Sequence, residues 1–207
     1  MDQEFFDIES LQTNFKAAIR DETDVAMDFY LEGFKELCKF FHLMGSVFGF
    51  VSSDVKAKIE ILEMHRQKEN AEQFETFATM MEYEKTSALL DKKDYVSGSR
   101  TLLRLHRGLA FVREFLLKLS EIEAHEKTTG VCKVAYNETL AQYHPWLIRK
   151  GALVAMYTLP TREQLFNRVC QDVERSISIL PDVLAVSKTV YDRTEQLYMD
   201  FDLHSLP

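Results

Sequence analysis

Apolar residues recur at intervals of three and four along most of this chain, the period of a helix with one buried face. The pattern predicts helices over Leu11 to Arg20, Val25 to Met44, Val47 to Arg66, Ala71 to Leu90, Ser99 to Ser120, Val131 to Tyr157, Arg162 to Cys170 and Asp172 to Asp200. No alternating run is long enough to build a sheet, and no fixed repeat or low-complexity linker appears. The fold expected is all-α, with about eight helices in a single domain over residues 1–207. Gly45 can end the second helix. Thr161 and Gln164 have the spacing of a capping box, and Pro145 starts or kinks a helix, so that His144, Pro145 and Trp146 lie at a bend.

The helix from Ser99 to Ser120 has the clearest division of faces. Leu102, Leu105, Leu109, Val112, Leu116 and Leu119 form one apolar stripe. At about 100° per residue, Arg100, Arg104 and Arg107 fall within roughly 60° of one another on the opposite side. Surface helices usually mix signs to gain ion pairs one turn apart, whereas this stretch is predominantly cationic. A solvated polar face is one reading. The other is an anion site, because two guanidinium forks one turn apart can converge on one phosphate.

Charge makes that local cluster stand out. Twenty-five Lys and Arg against thirty-three Asp and Glu give a formal net charge of -8, which argues against a general grip on nucleic acid. Three separated cysteines, Cys38, Cys132 and Cys170, suggest neither a disulfide framework nor a zinc site, and fit a reducing cytosol. The acidic start, MDQEFFDIES, does not read as a secretory signal. The most apolar stretch, Phe40 to Val51, falls well short of the roughly 20 residues that cross a bilayer. Membrane contact is therefore expected to be peripheral.

Asp54 and Lys58, four apart in FGFVSSDVKAKIEIL, share a helix face just after that apolar stretch. They read either as an ordinary ion pair or as part of a site for an amphiphile's head, the carboxylate accepting from an amide or hydroxyl and the ammonium facing a phosphate. His144 reads as a core or capping histidine, or as a donor to a ligand carbonyl. Trp146, the sole tryptophan, could be buried, but its neighbours Leu147, Ile148, Arg149 and Lys150 suit a membrane-surface anchor. HExxH, GxSxG, GxGxxG and the GxxxxGK[ST] loop are all missing, so no reaction, cofactor or metal is assigned.

In order along the chain, VSSDVKAKIEILEMHR, SGSRTLLRLHRGL, YNETLAQYHPW and ALVAMYTLPTRE closely resemble the glycolipid transfer protein superfamily, nearest its ceramide-1-phosphate transfer branch. The resemblance implies a two-layer sandwich of helices that opens a hydrophobic pocket beneath a polar head-group site. It implies Asp54 on the sphingoid amide and hydroxyl, Lys58, Arg100 and Arg104 on the phosphate, and His144 on the acyl-amide carbonyl. Phe41, Phe48 and Val51 would help line the chain pocket, and Trp146 would dock on membrane. Glycolipid-preferring members carry a tryptophan platform for the sugar where this chain has Arg104, which argues for phosphate. The expected function is non-enzymatic transfer of ceramide-1-phosphate by a cytosolic monomer in transient contact with membrane leaflets. The alternatives are a carrier of another phosphosphingolipid and a sensor that recruits protein partners.

Overall fold

The computed structural model describes residues 5–45 and 48–207. Among them, nine α-helices run in chain order: α1 (Ile8–Ala18), α2 (Met27–Leu43), α3 (Gly49–Arg66), α4 (Phe77–Thr86), α5 (Gly98–Glu121), α6 (Thr129–Thr139), α7 (Trp146–Met156), α8 (Arg162–Val169) and α9 (Val173–Asp200). A two-stranded antiparallel ribbon, β1 (Ile19–Arg20) with β2 (Asp24–Val25), links α1 to α2. The helices form the two-layer sandwich around one apolar core. Within it α1 packs on α2 and α9, while α5 lies against α3, α4, α6 and α9.

Side chains set most helix starts. Asp7, Ser97 and Asp172 accept from the backbone N–H three residues on, satisfying donors that the helix itself leaves open. Thr161 and Gln164 form the reciprocal box expected of them at α8. Past the end of α2, Gly45 takes a φ of 134°, a region that disfavours any side chain. The expected start of the next helix at Val47 lies outside the described residues; α3 is described from Gly49.

Two expected helices are divided. The span from Ala71 to Leu90 is a 3₁₀ turn, Ala71–Phe74, followed by α4. Thr76 is extended, pairs with Ala26 and caps α4 reciprocally with Thr79, so the chain restarts there. The helix then stops at Thr86, and Ala88 is left-handed. The span from Val131 to Tyr157 is α6, a short 3₁₀ turn (Ala141–Tyr143) and α7. Pro145 lacks an N–H and forces His144 into extended backbone, so α7 begins afresh at Trp146.

All six residues of the α5 stripe are buried, which leaves the arginine face turned away from the core. Among the described residues no helix is long and apolar enough to cross a membrane.

Candidate functional site: a cationic face beside an acid–lysine–histidine cluster

The three arginines of α5 share a face but differ in setting. Arg100 is half-buried; its Nη2 donates to the Leu90 carbonyl, and its Nε–H is buried without an acceptor among the described residues. Arg104 is exposed, with Nη2 3.5 Å from the main-chain oxygen of Pro207. Arg107 is the most committed of the three: its Nη2 donates to the His204 carbonyl at 3.2 Å and its guanidinium lies 4.0 Å over the Tyr143 ring. The one-sign face is thus relieved by main-chain oxygens and a ring. The Leu90 carbonyl accepts from Arg100 without neutralising its charge, whereas Glu195 lies within electrostatic reach of Arg107, so the positive charge left for an anion to meet lies toward Arg100.

On α3, Lys58 Nζ donates to Asp54 Oδ1 at 2.6 Å, the pairing expected from their spacing. The Asp54 side chain is 67% exposed while that of Lys58 is 14%, so the carboxylate faces outward with capacity to accept more. His144, half-buried at the bend before α7, has its Nδ1 2.8 Å from the Tyr136 hydroxyl of α6. Burial holds its imidazole below the ordinary value; Asp54 pulls upward and Lys58 pushes down. Those influences mean that Asp54, Lys58 and His144 form one electrostatic cluster. The arginine pair stands on the neighbouring helix, since α3 packs against α5.

Trp146 opens α7 and is 64% exposed, so it is no part of the core. Leu147, Ile148, Val154 and Tyr157 are exposed with it, as is Phe50 in the first turn of α3. Sequence reading singled out the first two neighbours and missed Val154, Tyr157 and Phe50. Because α7 is apolar nearly all round, periodicity could not separate an exposed face from a core one.

Phe41 and Phe48 are buried and Val51 is half-buried. Close to them in the chain, Phe40 lines a small apolar cavity with Phe6, Leu116, Phe166, Val169 and Leu180, at the seam between α2, α5, α8 and α9. Its volume, about 10 Å³, is too small for a hydrocarbon chain. A second, polar cavity of about 130 Å³ surrounds Arg107, with His106, Glu138, Tyr143, Glu195 and His204 in its walls. There His106 Nε2 lies 2.6 Å from Glu195 Oε2. Nothing in the sequence pattern joined these residues, which come from three helices, the 3₁₀ turn after α6 and the segment after α9.

No group of three or more His, Cys, Asp or Glu among the described residues is placed to hold a metal. Burial pushes the Cys132 thiol up to about 12, far from a reactive thiolate.

Residues 25–171 match the family model described as glycolipid transfer protein. The chain is 37% identical to the ceramide-1-phosphate transfer protein of Xenopus laevis, over 99% of this chain and 98% of that one. It superposes on the mouse ceramide-1-phosphate transfer protein in its apo form with a TM-score of 0.92 at 34% identity, covering 98% of this chain and all (100%) of that one. The human ceramide-1-phosphate transfer protein in complex with 12:0 ceramide-1-phosphate gives a TM-score of 0.89 at 32% identity, again over 98% and 100% of the two chains.

Proposed function

The chain belongs to the glycolipid transfer protein family, and on that footing we propose that it carries ceramide-1-phosphate between membranes with no covalent bond made or broken. The observation that carries this reading is the pair Arg100 and Arg104, one turn apart on α5, with Arg100 held by the neutral Leu90 carbonyl and Arg104 exposed. Forked guanidiniums suit a terminal phosphate, and Lys58 adds a point charge from α3.

The other head-group contacts are those the family resemblance implies, and donor and acceptor types allow them. Asp54 accepts from the sphingoid amide N–H and hydroxyl. His144, kept neutral by burial, donates from Nε2 to the acyl-amide carbonyl when Tyr136 donates its hydroxyl hydrogen to Nδ1. The hydrocarbon chains go beneath, in a pocket that Phe41, Phe48 and Val51 help to line.

Transfer needs no cofactor. Each methylene kept from water is worth about 0.8 kcal/mol, so a dozen of them hold a lipid in its membrane by roughly 10 kcal/mol unless a carrier covers them. Docking by Trp146 and its exposed apolar neighbours on α7 lets the exchange occur at the surface of a cytosolic leaflet, with the protein acting as a monomeric single domain over residues 1–207.

Native mass spectrometry of the protein after incubation with extracted cell lipids tests the assignment. The expected adduct is one intact phosphorylated sphingolipid per chain; a glycosylated sphingolipid in its place, or a bound product lacking the phosphate, contradicts it.

A further inference from the structure

Glu84, on α4, is the most enclosed carboxylate of the described residues, with 0% of its surface exposed. Its four hydrogen-bond partners are all donors. Oε1 accepts from the Tyr95 hydroxyl at 2.8 Å and from the Gly98 N–H at 2.6 Å. Oε2 accepts from the Ser97 hydroxyl at 2.7 Å and from the Ser99 N–H at 2.9 Å. Two oxygens that each take two donors make the ionised form the one that fits. A buried charge is costly unless bonded in this way, and here it also faces the positive end of the 24-residue α5.

The same residue holds both ends of the loop between α4 and α5. Its main-chain oxygen accepts from Leu89 N–H, and its carboxylate takes the residues that close the loop. Between those ends lies the Leu90 carbonyl, which holds the Arg100 guanidinium. The Ser97 hydroxyl that donates to Glu84 also accepts from the Arg100 N–H at 3.1 Å. Packing leaves little play: a Cβ at Gly98 would stand 2.5 Å from the Met80 sulfur of α4. On the other side, Tyr198 of α9 donates to the Ser99 carbonyl at 2.6 Å. With the helix end already occupied by a carboxylate, a lipid phosphate is left to the side-chain forks further along.

We infer that Glu84 is a positioning residue for the phosphate site: it fixes the first turn of α5 and the loop carbonyl that aims Arg100, and so sets the preference for a phosphorylated head. This rests on the reading of Arg100 and Arg104 as the phosphate grip. Fully enclosed, Glu84 acts through Arg100 and not on the lipid directly.

Glu84→Gln keeps the shape but turns one acceptor oxygen into an NH₂ that must face both a backbone N–H and a hydroxyl. The test compares equilibrium binding of short-chain ceramide-1-phosphate and of the matching ceramide to the full chain and to this variant. The ratio of the two affinities is expected to fall about tenfold in E84Q, with ceramide affinity retained and the helical circular dichroism unchanged. An unchanged ratio, or equal losses for both lipids, overturns the inference. If the wild-type chain shows no preference for the phosphate, it is the arginine reading that fails. If E84Q does not fold, Tyr95→Phe removes one donor while the carboxylate stays in place; a several-fold fall in the same ratio supports the role, and an unaltered ratio overturns it.

Discussion

The Tyr136 hydroxyl lies 2.8 Å from Nδ1 of His144, which ties the bend before α7 to the last turns of α6. The contact occupies Nδ1, so on the proposed reading it is Nε2 that meets a ligand carbonyl. Tyr136→Phe should leave the fold intact, at a cost of about 1 kcal/mol for the lost bond, and slow ceramide-1-phosphate transfer several-fold because His144 is no longer oriented. Thermal melts and vesicle transfer rates measured on one preparation check it; an unchanged transfer rate would sink the role given to Nε2.

The arginines of α5 should separate by function. Losing a hydrogen bond to a charged group costs about 1.5–3 kcal/mol, or roughly 10- to 150-fold in affinity, so Arg100→Ala and Arg104→Ala should each weaken phosphate-lipid binding by at least that lower factor. Arg107 is engaged by the His204 carbonyl and the Tyr143 ring, and Arg107→Ala should lower thermal stability more than binding. A binding loss for R107A that exceeds those of the other two would contradict the division.

Acid should destabilise the protein by a predictable route. Burial holds His65 and His106 below the ordinary histidine value of 6.5. As the pH falls through 6.5 the unfolded chain takes up these protons first, so their stabilising contribution is present above that value and is lost below it. Glu195, lowered from 4.5 chiefly by its bond to His106, adds a further loss below about pH 4.5. Melting temperatures should be level above pH 7 and fall steadily on acidification; a rise between pH 7 and pH 5.5 runs against this sign.

Trp146 is the only tryptophan, so its emission reports one place. Because it is 64% exposed, emission should shift to the blue when vesicles are added, and Trp146→Ala should weaken vesicle association with little effect on stability. Unshifted emission under conditions of active transfer would remove Trp146 from the docking surface.

How far the chain can be read in advance depends on the range of the interactions. The stripe of α5 and the Asp54–Lys58 pair are local: period and four-residue spacing determine them, and both stand where the pattern puts them. The α4 break is also local, but its Thr76–Thr79 box falls inside a continuous apolar period and is masked by it. Long-range partners leave no trace in spacing. The oxygens that hold Arg100, Arg104 and Arg107 belong to Leu90, Pro207 and His204, and Glu84 looks like any carboxylate on a helix until the loop folds over it. The exposure of Trp146 likewise depends on what α7 fails to pack against, which its apolar residues, spread over most of the helix, conceal.

A carrier that grips its lipid with Arg100 and Arg104 should select phosphate over sugar. Intermembrane transfer from donor vesicles containing either ceramide-1-phosphate or a glycosylceramide of the same acyl chain measures that selectivity directly. Rapid movement of the phosphate lipid with little movement of the sugar lipid is the predicted result; equal rates, or faster transfer of the glycosylceramide, would contradict it.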